Sequence, residues 1–272
     1  MTIVLTFFLD LRFQVMYDHF STIKQKQNGK RILSLVISLE ETYGSHEANQ
    51  GRLAAFDKAW SKHCKKEEMD FKLCPGHLSS VRGVGVSLAI IQCLTSAYND
   101  GYDYIYLFED DGVPFDSTVC EDRQVIAEGM PADALVLLLG GHDLWIKQEN
   151  LESNLILMEG VNLVVSEMSF GFYGFVVARD KVVTLTEELK SDVERCTKVK
   201  GKVCSPDVLI YSLAKKENKT VYITNPLLID HLKGSFSNTW NKPRNESRAG
   251  DKWAGVREVV EGSILVKKVV NR

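Results

Sequence analysis

Between Ile32 and Leu139 four short apolar runs alternate with segments of helical spacing, and this rhythm constrains the fold more than any other feature of the chain. Ile32–Leu39, Phe71–Cys74, Tyr104–Phe108 and Ala134–Leu139 are too short for ordinary helices and are bounded by charged or turn residues, the pattern of strands buried on both faces. Between them, Leu53, Phe56 and Trp60 fall at i, i+3 and i+7, which predicts a helix to about Cys64. Val84, Leu88, Ile91 and Thr95 predict a second, ending near Asn99-Asp100-Gly101, and Pro114 opens a helical stretch to about Glu128. Such alternation predicts an α/β fold, a mostly parallel sheet flanked by helices on both faces. Past Gly141 the rhythm shifts to Leu155–Met158, Val161–Val165 and Phe172–Val177, a small antiparallel extension. Helices are expected at Lys181–Lys190 and Pro206–Ala214, the latter opened by Ser205 as N-cap.

The strand Tyr104–Phe108 runs straight into Glu109-Asp110-Asp111-Gly112. A run of acids is ordinarily a solvated surface. Here a buried strand delivers it to the carboxyl edge of the sheet, where ligands of such folds bind and where repulsion among carboxylates calls for a cation. Mg²⁺ or Mn²⁺ takes one or two protein carboxylates and fills its other positions with water and substrate phosphates, so the chemistry expected is the handling of a nucleotide diphosphate.

Composition narrows the classes further. With 33 Lys+Arg against 36 Asp+Glu and 44% hydrophobic residues, the 272-residue chain has the balance of a globular protein and no global field for polyanions. No basic stripe longer than Lys65–Lys66 invites nucleic acid. The apolar start, Thr2–Leu9, ends at Asp10 after about eight residues, short of the ~20 that span a bilayer, so no transmembrane segment is expected. Six cysteines without CxxC spacing suggest neither zinc nor redox chemistry. They read as free thiols of a cytoplasmic protein; the alternative, a secretory lumen, would let Cys64/Cys74 and Cys196/Cys204 pair and would use the sequons at Asn218 and Asn245. The domain reading is an N-terminal extension, 1–30, closed by a polar run, a catalytic domain, 31–240, and a C-terminal tail, 241–272.

The stretch Asp103 to Pro114 resembles the EDD variant of the DxD motif in GT-A-fold glycosyltransferases, especially glycosyltransferase family 25, the LPS-biosynthesis and collagen-galactosyltransferase-like group. Other stretches agree in order. Val36 to Leu39 with Arg52 resembles the family's first strand and helix-opening arginine, and Arg82 to Leu88 its glycine-containing helix opening. Phe170 to Arg179 looks like its glycine/aromatic strand, and Ser205-Pro206-Asp207 followed by Pro226 to His231 like its closing segment.

The resemblance implies a metal-dependent transfer of a sugar from a nucleotide-diphosphate donor, a UDP-sugar such as UDP-galactose, to an acceptor hydroxyl with inversion. The acceptor would be a glycan, a lipid-linked sugar or a hydroxylated protein side chain. It implies that Asp111 and His231 bind Mn²⁺ or Mg²⁺, that Glu109, Asp110, Ser38 and Arg52 belong to the donor site, and that Lys233 touches the diphosphate. Asp207 would be the catalytic base, although a carboxylate in a helix's first turn needs no function to explain it. Two alternatives use the same acids: a nucleotidyltransferase or phosphohydrolase, against which the absence of a GxxxxGK[ST] loop counts, and a catalytically inactive sugar-binding protein of the same fold.

Overall fold

The structure, a computed structural model, describes residues 30–39, 51–68, 70–147, 150, 155–171, 173–199 and 202–231. It also gives the backbone of four short strands beyond them, at 236–237, 242–243, 255–260 and 263–268. The expected N-terminal extension lies, but for Lys30, outside the described residues, as does Lys233.

The first half follows the βα rhythm. Strand β1 (Ile32–Ser38) leads to helix α1 (Arg52–Trp60), β2 (Phe71–Pro75), α2 (Val84–Asn99), β3 (Tyr104–Glu109) and the short β4 (Gly112–Pro114). Two small helices, α3 (Thr118–Glu121) and α4 (Arg123–Glu128), replace the single helix expected after Pro114, because the turn at Asp122 breaks the run. Then come β5 (Ala134–Leu138), β6 (His142–Lys147), β7 (Leu155–Met158), β8 (Val161–Val165), β9 (Met168–Phe170) and β10 (Gly174–Ala178). Helix α5 (Arg179–Lys198) runs a full two turns past its expected end, since Leu189, Asp192 and Cys196 keep the three-to-four spacing of its buried face. Helix α6 (Pro206–Lys216), β11 (Thr220–Asn225) and β12 (Ile229–His231) follow.

Eight strands form one sheet in the order β2-β1-β3-β10-β5-β11-β8-β7. β2, β1 and β3 are parallel, as are β5 and β11, while β10 and β8 run against their neighbours, so six of the eight strands point the same way. All five residues of β5 and the middle four of β3 are buried, which requires cover on both faces. The fold class is therefore α/β with helices flanking a predominantly parallel sheet. β12 pairs with β4 in a separate two-stranded sheet. The short β13 (Phe236–Ser237) and β14 (Lys242–Pro243) pair with each other. Strands β15 (Gly255–Val260) and β16 (Ser263–Lys268) fall inside the expected C-terminal tail and pair with each other, β16 also with β6, making an antiparallel sheet with β9.

The cysteines correct the free-thiol expectation. Cys64 is bonded to Cys120 and Cys74 to Cys93, with Cα atoms 5.8 and 6.0 Å apart. Packing, not closeness along the chain, chose the partners: Cys93 lies on the buried face of α2, over Cys74 of β2. The expected alternative, Cys64 with Cys74, is not formed, and Cys196 and Cys204 are free and buried.

Beneath the end of β3, Phe108 packs edge-on against Trp60 and Phe71, at centroid distances of 5.0 and 5.7 Å, and Phe56 completes the group. This aromatic cluster seats α1 on the sheet directly under the acidic run, each edge-to-face pair adding ~1 kcal/mol beyond burial.

Candidate active site

Sheet pairing sets the acidic edge in place. Glu109 ends β3 opposite Ile37, and the Glu109 N–H donates to the Tyr173 carbonyl at 3.3 Å. The Asp110 N–H donates to the Ile37 carbonyl at 3.1 Å. Gly112 is then clasped from two sides. Its carbonyl accepts the Trp60 Nε1–H at 2.9 Å, and a Cβ there would stand 2.1 Å from the Tyr173 carbonyl oxygen, so only glycine fits. Gly112 is also the register partner of His231 in the β4–β12 pair.

That register brings His231 Nε2 to 2.9 Å from Asp111 Oδ2, both side chains almost wholly buried, and the imidazole leans edge-on against Tyr173 at 4.9 Å. Asp110 is turned the other way. Its Oδ2 accepts from Ser38 Oγ at 2.7 Å, and its Oδ1 is ion-paired with Arg52 Nη2, which also reaches Asp111 Oδ2 at 3.3 Å. Burial pushes the Asp110 carboxyl above its ordinary range, and Asp111 pushes it further, while Arg52 and Ser38 pull it back. For Arg52, burial opposes the charge but the neighbouring Asp110 and Asp111 outweigh it, so the guanidinium is held more firmly protonated than usual.

Ser38, Arg52, Glu109, Asp110, Asp111 and His231 thus come together as one cluster. The first five line a cleft of about 300 Å³ at the carboxyl ends of β1, β2 and β3. Its opposite wall is Gly76 to Val86, including His77, Ser79, Ser80 and Arg82, and it ends on the N-terminus of α2. That helix has Gly83 as N-cap (φ +80°), no side-chain cap and no acid in its first turn, so its positive end faces the cleft uncountered by a local carboxylate. The sequence points to Arg82 and Tyr173 only as members of the stretches Arg82 to Leu88 and Phe170 to Arg179, and to His77 not at all. The signal for Arg82 was its place beside the glycine that opens α2.

Asp207 lies outside the cleft lining. It sits in the first turn of α6, its Oδ2 accepting the Gly171 N–H at 3.2 Å and its Oδ1 the Val208 N–H at 3.0 Å. Burial raises its carboxyl above the ordinary range against these two donors, and Arg82 is the cation nearest to it in effect. Gly171 takes φ +76°, which frees its N–H to point at the carboxylate.

A divalent ion suits Asp111 and His231. A carboxylate oxygen and an imidazole nitrogen are donor types such an ion takes, and here they meet at hydrogen-bond distance, with Arg52 also reaching the same oxygen.

No family model and no curated protein matches the chain. Among solved structures, a mannose-1-phosphate geranyltransferase from Thermus thermophilus is 12% identical, with 71% of this chain and 73% of that chain covered and a TM-score of 0.37. A protein described as a nucleotide-diphospho-sugar transferase from Desulfovibrio desulfuricans is 9% identical, with 71% and 78% covered and a TM-score of 0.38. Superpositions this loose assign no activity, and the chemistry rests on the site.

Proposed function

We propose that the protein is a metal-dependent glycosyltransferase that moves a sugar from a nucleotide-diphosphate donor to an acceptor hydroxyl. The observation that carries this is the buried Asp111–His231 pair at the carboxyl edge of β3, beside a cleft that sets carboxylates against Arg52, Arg82 and the positive end of α2. Bound there by Asp111 and His231, Mn²⁺ or Mg²⁺ would supply charge neutralisation for the departing diphosphate. Ser38 and Arg52 hold Asp110, and Arg52 also reaches the Asp111 oxygen that faces His231. Glu109, on the cleft wall, is placed to accept hydrogen bonds from donor hydroxyls. Arg82 and the first turn of α2 face the same space and favour an anionic group in it. Asp207, with its raised carboxyl, serves as the base for the acceptor hydroxyl in a single inverting displacement. A UDP-sugar is the expected donor, and Lys233 belongs with the diphosphate contacts. The two disulfides and the exposed sequon asparagine Asn218 favour an oxidising, secretory compartment over the cytoplasm.

The test is release of free nucleoside diphosphate from a panel of UDP- and GDP-sugars, with Mn²⁺ or with chelator, for the parent and for Asp111→Asn. One donor should be turned over only with metal, and the substitution should lower the rate by about 100-fold or more. If no donor is turned over and none binds in a metal-dependent way, the proposal is wrong.

A further inference from the structure

Cys196 and Cys204 are the two cysteines that the disulfides leave over, and they are placed together. Cys196 is in the last turn of α5, Cys204 in the extended stretch before α6, and both are buried with Val84 between Val81 and Val193. The ligand atoms of Asp192, Cys196 and Cys204 all lie within 4.8 Å of one another, and the Cys204 thiol donates to the Asp192 carbonyl at 3.7 Å. A metal is a poor tenant. The Asp192 carboxylate is ion-paired with Arg195, and among the described residues no fourth ligand joins the group. Burial also pushes the Cys204 thiol up, away from the thiolate that a metal would need.

The backbone next to Cys204 ties the pair to the cleft. The Cys204 N–H donates to the Arg82 carbonyl at 3.0 Å, and a Cβ on Gly83 would stand 1.9 Å from the Cys204 carbonyl oxygen. The stretch around Cys204 therefore lies against the opening of α2, and Asp207 is three residues on from Cys204.

We propose that Cys196 and Cys204 close a third disulfide in the mature protein, and that this bond positions the Arg82 rim of the cleft. The oxidant is a disulfide of the compartment that makes the other two bonds. One cysteine thiolate attacks it and expels a thiol, and the second attacks the resulting mixed disulfide and expels the other. Two cysteine thiols are oxidised, one external disulfide is reduced to two thiols, and the two cysteine protons end on them. Closure comes during folding, while the sulfurs are still reachable.

The experiment is peptide mapping of the intact chain, made in an oxidising compartment, denatured and alkylated without reductant. The peptides bearing Cys196 and Cys204 should be found cross-linked and unalkylated until reductant is added. Alkylation of both residues without reductant would overturn the bond, and so would recovery of zinc with both thiols alkylated. For the positioning role, hydrogen exchange compares the parent with Cys196→Ser/Cys204→Ser. Amides 84–87 of α2 should exchange several-fold faster while those of β5 are unchanged; unaltered exchange at 84–87 would sink it. Neither readout depends on the glycosyltransferase assignment.

Discussion

The two halves of the main sheet are held differently. Around β2, β1 and β3 the chain is stapled twice, Cys64 to Cys120 and Cys74 to Cys93, and at its acidic edge Arg52 pairs with both Asp110 and Asp111. The half formed by β5, β11, β8 and β7 has no disulfide among the described residues and ends in an edge strand that exposes Leu155 and Ile156. The half that carries dense buried charge carries the covalent restraint, while the other is held by continuous apolar packing. Carboxylates at 3–4% exposure cost several kcal/mol to desolvate, and a rigid frame keeps their partners within reach.

The sharpest way to break this contrast is to remove a staple. With partners 56 and 19 residues apart, serine at Cys64 is expected to cost about 4 kcal/mol and serine at Cys74 about 3 kcal/mol, read from denaturant unfolding under non-reducing conditions. If both are silent, the restraint is not where the stability lies. Gly83→Ala comes next, at about 2 kcal/mol, because it meets a left-handed φ and the Cys204 carbonyl at once.

Asp207→Asn removes the charge and also turns one of the two acceptors, toward the Gly171 or the Val208 N–H, into a donor. The folded protein holds this proton to higher pH than the unfolded chain, so stability falls as pH rises from the usual carboxylate range through the raised native value. The asparagine variant should lose turnover, and its melting curves run across pH should lack this fall, so that the parent's advantage over it shrinks by less than about 1 kcal/mol through the window. The smallest effect belongs to the other half: Ile156→Lys, at a site 69% exposed, should change stability by no more than about 0.5 kcal/mol.

Much of the fold was legible because strands buried on both faces announce themselves as apolar runs, and the acidic edge because one of those runs leads into it. The antiparallel run of β10 was expected of Phe172–Val177, but its insertion between β3 and β5 was not, since the order of elements along the chain carries no sign of their place in the sheet. Strand β11 escaped because Thr220 to Asn225 mixes polar and apolar residues straight after a helix. In the site, the meeting of Asp111 with His231 spans 120 positions and depends on the β4–β12 register, which nothing local encodes; only the family resemblance pointed to it. The cysteine partners were missed for the same reason.

Trp60 gives the molecule an optical consequence. Its indole N–H is bonded to the carbonyl of Gly112, the residue after Asp111, and its ring is sealed in the aromatic cluster. A shift of the acidic turn on ligand binding changes the polarity around a buried fluorophore one residue away. With the other three tryptophans replaced, emission from Trp60 becomes an intrinsic, label-free gauge of what happens at that edge.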